Sequence, residues 1–133
     1  MNTKLLMTLS AFAMGIAGIA LSFMPHEILN YFDSGNISDF QAMTVQIAGA
    51  VYFAFAMVNY TARANLIGGI YGRPIAIGNL THFGIGSLVL IKAATGDWGV
   101  GLWILTGIYV VFAVCFGVVF FTHPVKNSNP KVS

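Results

Sequence analysis

The chain has 133 residues, of which 57% are hydrophobic and 8% charged, and its formal net charge is +2. Soluble domains carry about 25% charged residues, so the 6 Lys and Arg and 4 Asp and Glu present here cannot clothe a water-facing globule. A basic nucleic-acid footprint is excluded because the cationic groups are scattered, and the single cysteine, Cys115, excludes a disulfide framework within the chain.

Four membrane spans of ~20 residues each would occupy ~80 residues and leave only short connections. The chain is therefore expected to be one all-α domain over residues 1–133, an integral membrane four-helix bundle. The first span runs over residues 5–24, from Leu5 to Met24, and is closed by Pro25. At 1.5 Å per residue it covers ~30 Å, the thickness of a hydrocarbon core. The rival reading is a cleaved signal peptide with Lys4 before it and Gly18-Ile19-Ala20 as the cleavage site.

The connection that follows is expected to hold a short interfacial helix over 26–33, with Ile28, Leu29 and Phe32 on one face and Gly35 ending it. The second span, 41–62, opens on a capping box formed by Ser38 and Gln41. The third, 75–94, places Pro74 at its first helical position, where a missing N–H costs nothing, and Gly96 at its C-terminal cap. The fourth, 99–121, is capped by Asp97.

Charge distribution sets the orientation. Lys4, Arg63, Arg73, Lys126 and Lys131 fall on one side of the spans, with Lys92 alone near the other. Only Lys and Arg count in the positive-inside rule, so both termini are expected in the cytoplasm and the chain in the cell inner membrane.

Helices in lipid need small residues for close contact. Ala11, Gly15, Gly18 and Ser22 form one such face on the first span. It serves either packing within the bundle or a homo-oligomer or membrane-protein partner. The two halves also align faintly. Gly15-Ile16-Ala17-Gly18 resembles Gly84-Ile85-Gly86-Ser87, and Val51-Tyr52 with Phe55-Ala56 resembles Ile108-Tyr109 with Phe112-Ala113. A parallel two-plus-two repeat is one reading.

An ionisable group inside the bilayer is a functional hypothesis by default. His82 is the one deep candidate, and depth matching brings Asn79, Tyr52, Asn59 and Ser10 toward it. The cluster is read either as a structural hydrogen-bond network or as a ligand site formed by His82, Asn79, Tyr52 and Asn59. No metal ion is expected, because no second ligand stands at suitable spacing, and no cofactor is implied. Arg63 and Arg73 flank the glycine-rich stretch 68–74 and are candidates for a lipid-phosphate or anion contact.

In Phe23-Met24-Pro25, in Gln46-Ile47-Ala48-Gly49-Ala50-Val51-Tyr52-Phe53, and in Leu66-Ile67-Gly68-Gly69-Ile70-Tyr71-Gly72-Arg73-Pro74 leading to Asn79 and His82, the chain resembles the small four-helix bacterial membrane proteins of the DoxX-like group. The resemblance implies a four-helix inner-membrane fold and carries no site residues with it. Small multidrug transporters share the length and span count but need a glutamate in the first span, where this chain has none.

The functional expectation is a non-catalytic membrane protein acting as a subunit, a partner-binding bundle or an oligomer. One alternative is a channel or transporter for neutral or anionic solutes, marked by a polar path from His82 to Gln46 or Thr106. Another is a lipid- or quinone-binding protein, marked by an apolar cavity opening sideways near His82.

Overall fold

The computed structural model describes residues 2–32, 35–64, 72–96 and 99–122. Among the described residues five helices follow one another: α1 (Thr3–Phe23), α2 (Pro25–Phe32), α3 (Asp39–Ala62), α4 (Arg73–Ala94) and α5 (Val100–Thr122). Helices α1, α3, α4 and α5 are long and apolar enough to cross a membrane, whereas α2 has 8 residues.

Local chemistry sets the helix ends. The Asn2 side chain accepts the Leu5 N–H at 3.2 Å and starts α1. Pro25 closes α1, because it has no N–H to continue the ladder, and for the same reason it suits the first turn of α2. The capping box of α3 is formed as expected, with Gln41 N–H donating to Ser38 Oγ at 3.3 Å and Ser38 N–H to Gln41 Oε1 at 2.8 Å.

Two boundary expectations are corrected. Arg73 takes the first position of α4, which puts Pro74 one place later in the same turn, where its lack of an N–H is equally harmless. The C-cap of α4 is Thr95 rather than Gly96. Its hydroxyl donates to Lys92 O at 2.7 Å, and with right-handed backbone at the cap no glycine is required. The Asp97 cap expected for the fourth span lies outside the described residues.

The long helices associate as two close pairs, α1 with α3 and α4 with α5. The first pair is nearly backbone on backbone. A Cβ added to Gly18 would lie 2.6 Å from Phe53 N, and one added to Gly49 would lie 2.6 Å from Ser22 N. Gly15 faces Ala56 and Ala11 is buried, so the small-residue face of the first span is turned toward α3 inside the chain. Gln46 donates to Ser22 O at 3.2 Å and fastens the same pair near the α2 end.

Between the pairs the spacing is set by large side chains. Met7, Met14, Phe83, Tyr109, Phe116 and Val119 form the buried core. Phe83 stacks on Phe112 and Phe116, with ring centroids 4.8 and 5.7 Å apart. That stack lies inside the α4–α5 pair, whereas along the α1–α5 and α3–α4 seams the backbones hardly approach. Phe12, Ile16, Ile104, Val111 and Val114 point outward, as apolar side chains must when lipid is the solvent.

Candidate functional site

Polar side chains in the spans gather at two levels. The first is an amide pair. Asn59 on α3 and Asn79 on α4 are fully buried and exchange reciprocal bonds, each Nδ2 donating to the other's Oδ1 at 2.7 Å. Asn59 Nδ2 also donates to Ser10 Oγ at 3.1 Å on α1, and Asn79 Nδ2 donates to Ile75 O at 2.9 Å. Ser10 donates in turn to Met7 O at 3.0 Å. Three helices are thereby joined across the gap between the close pairs, and in a medium without water these groups have every reason to remain together.

The second level lies farther toward the α2 end. His82 on α4 stacks on Phe55, with centroids 5.5 Å apart, and stands edge-on to Tyr52 at 5.0 Å. Its Nε2 meets the Tyr109 hydroxyl at 3.4 Å, and the Tyr109 hydroxyl is hydrogen-bonded to that of Tyr52. Gly86 makes the arrangement sterically feasible, because a Cβ there would sit 2.5 Å from Tyr109 Cε1. Imidazole and two phenols thus form a row running from α4 through α5 to α3. Among the described residues, no buried side-chain nitrogen or oxygen is left without a partner.

The row borders a cavity of about 410 Å³ between α1 and α5. Ala13, Ala17 and Ala20 of α1 and Ile108 of α5 form its walls, with Ile28 and Phe32 of α2 at one end. Met14, Phe83 and Tyr109 are buried at its depth, whereas Ile16, Leu105 and Ile108 are exposed at its rim. The cavity therefore opens sideways, toward whatever surrounds the helices. Its α1 wall is made of alanines, and along this seam the two backbones hardly approach. α2 spans the seam as well, since the Tyr31 hydroxyl lies 2.8 Å from the Cβ position of Gly101 on α5.

Tyr52 and His82 thus come together, as do Asn59 with Asn79, but the four do not form one cluster. Tyr52 and Asn59 share a face of α3 yet stand two turns apart, ~10 Å along the axis. Tyr109 is the participant that depth matching leaves out. Gly86, one turn beyond His82 on the same helix, is the sequence feature that points to a bulky neighbour there. Toward the α2 end, Ser87 and Thr106 donate to carbonyls of their own helices, Gly84 O at 2.8 Å and Leu102 O at 2.7 Å.

Arg63 folds back on its own helix. Its guanidinium carbon lies 3.5 Å from the Tyr60 ring centroid, and its Nη1 donates to Tyr60 O. Arg73 is exposed in the first turn of α4, and the stretch 65–71 between the two arginines is outside the described residues. Among the described residues no group of three His, Cys, Asp or Glu side chains converges in a way that could hold a metal ion. Cys115 is half-buried against the core.

The fold and site define a bundle of four candidate membrane spans with a lateral apolar cavity. Comparison with family models, with curated proteins and with solved structures finds no match.

Proposed function

We propose that this is a non-catalytic, multi-pass protein of the cell inner membrane, with both termini in the cytoplasm, that takes a lipid-phase molecule into the α1–α5 cavity. Lys4, Arg63, Arg73, Lys126 and Lys131 support the orientation. In that frame the cavity lies in the outer half of the bilayer, and α2 lies along the outer surface. The observation that carries the functional reading is the sideways opening of an apolar pocket whose deep end reaches Tyr52 and Tyr109. Of the functions open to such a sequence, the lipid- or quinone-binding one is marked by this feature.

A photoactivatable tetradecanol carrying a diazirine in its chain tests this reading in protein reconstituted into phosphatidylcholine nanodiscs. Saturable, one-to-one crosslinking that is lost when Ala17→Phe fills the cavity supports it. Labelling that never saturates, and is unchanged by Ala17→Phe, overturns it. Circular dichroism of the variant verifies that the helices are retained.

A second reading, docking of another membrane protein, is favoured by a shallower valley of about 510 Å³ on the α1–α3 surface. Ala11, Gly15 and Ala56 form its floor and Phe12, Phe53 and Met57 its banks, a shape that accepts the side chains of a partner helix.

A further inference from the structure

The chemistry of the deep end narrows the ligand class. Resting on the lipid-binding reading, we infer that the cavity selects an uncharged single-chain amphiphile whose hydroxyl or carbonyl end meets the Tyr52–Tyr109 hydroxyl pair.

Size comes first. A volume of about 410 Å³ holds roughly 14 groups the size of a water molecule or a methylene. That suits one medium-length chain, and a second acyl chain would have to remain outside the cavity.

Polarity comes second. Among the described residues no charged side chain lines the cavity, and the lining they form is apolar apart from the two phenols. Tyr109 stands nine residues into α5, which places the deep end ~13 Å from the start of that helix. A phosphate, carboxylate or ammonium carried to that depth would meet no countercharge among the described residues, and an unpaired ion in hydrocarbon is costly. A neutral hydrogen-bonding end has no such penalty.

The third point is the direction of the row. Tyr109 bonds both His82 and Tyr52, so Tyr52 is its terminal member. With Nε2 of His82 accepting, Tyr109 donates to His82 and Tyr52 donates to Tyr109, and the free end of the row is an acceptor oxygen. With Nε2 protonated, every bond reverses and Tyr52 presents a free O–H. Both arrangements keep all three groups neutral. A single site can therefore match a hydroxyl head or a carbonyl head without any change of charge.

Competition against the diazirine tetradecanol, in the same nanodiscs and with concentrations expressed per mole of lipid, tests the inference. The competitors are 1-tetradecanol, tetradecan-2-one, tetradecane and tetradecyltrimethylammonium. The alcohol and the ketone are expected to compete within about threefold of each other. Both should outperform the alkane and the ammonium by about tenfold, the worth of one hydrogen bond in a dry pocket. Tyr52→Phe should remove the advantage of alcohol over alkane while leaving competition by the alkane unchanged, which also shows that the variant's pocket is intact. Equal competition by alkane and alcohol in the unmodified protein would overturn the inference while leaving chain binding in place. A preference for the alcohol that survives Tyr52→Phe, or a strong preference for the ammonium, would overturn it too. Failure of every competitor would instead remove the underlying lipid-binding reading.

Discussion

The hydroxyl of Tyr52 on α3 is hydrogen-bonded to the hydroxyl of Tyr109 on α5, 57 positions later. The same offset aligns Val51-Tyr52-Phe55-Ala56 with Ile108-Tyr109-Phe112-Ala113. These two tyrosines meet on the boundary between the close pairs α1–α3 and α4–α5. The offset between α1 and α4 is 69, and most of the difference falls in the connection that contains α2, which runs over 24–38 where its counterpart runs over 95–99. The two halves thus resemble each other in pairing as well as in sequence, with α2 belonging to the first half alone.

A double-mutant cycle on Tyr52→Phe and Tyr109→Phe should return a coupling of about 0.6–1.7 kcal/mol, the range measured for hydrogen bonds between membrane helices. Unfolding in mixed micelles, followed by circular dichroism, gives the four stabilities. Additive effects would show that the two hydroxyls do not depend on each other.

Asn59 and Asn79 should behave non-additively in the same sense and more strongly. Either Asn→Leu change alone removes both reciprocal bonds and leaves a buried amide with lost partners, at a cost of about 1–3 kcal/mol. Replacing both removes that liability, so the Asn59→Leu, Asn79→Leu double variant should be more stable than at least one of the single variants. The same micelle unfolding assay decides it, and a double variant weaker than either single would refute the pairing.

Gly18 and Gly107 offer a control against each other. Alanine at Gly18 must displace the Phe53 backbone, whereas alanine at Gly107 meets nothing within 4 Å. Gly18→Ala is expected to destabilise by about 1–3 kcal/mol through overpacking. Gly107→Ala should be neutral, or stabilising by up to about 1 kcal/mol from helix propensity. Thermal unfolding of both in the same detergent would expose a wrong helix pairing if the order were reversed.

How far the sequence reveals this architecture depends on the range of the signal. Span positions follow from runs of apolar residues, and the four long helices begin and end within two residues of the expected limits. Ser38 with Gln41, and the short helix after Pro25, are equally local and equally readable. The small-residue face of α1 was visible, but the surface it meets was not, because Gly49 becomes its counterpart only after α3 is placed.

At the site, depth matching draws Asn79, Tyr52, Asn59 and Ser10 into one cluster around His82. The structure divides it, because Tyr52 and Asn59 stand ~10 Å apart along α3, so that Tyr52 meets His82 and Tyr109 while Asn59 meets Asn79. Tyr109 stands in a continuous apolar run like any anchoring aromatic, and only its seat against Gly86 distinguishes it. The cavity left no sequence trace at all. It lies where alanines on α1 face a seam along which the α1 and α5 backbones hardly approach.

Orientation is testable with single cysteines in a Cys115→Ala background. Asn30→Cys on α2 should react with a membrane-impermeant thiol reagent in intact cells, and Asn2→Cys only after the membrane is permeabilised. The reverse pattern would place the basic segments outside and would move the cavity into the inner half of the bilayer.

Occupation of the α1–α5 cavity is most directly measured by solid-state NMR on protein reconstituted with uniformly carbon-13-labelled 1-tetradecanol. Through-space cross-peaks from the chain to Ala17 and to the rings of Tyr52 and Tyr109 are predicted. Cross-peaks confined to outward-facing Val111 and Val114, with none to Ala17 or the tyrosines, would mean that the alcohol merely bathes the bundle, and would contradict the account.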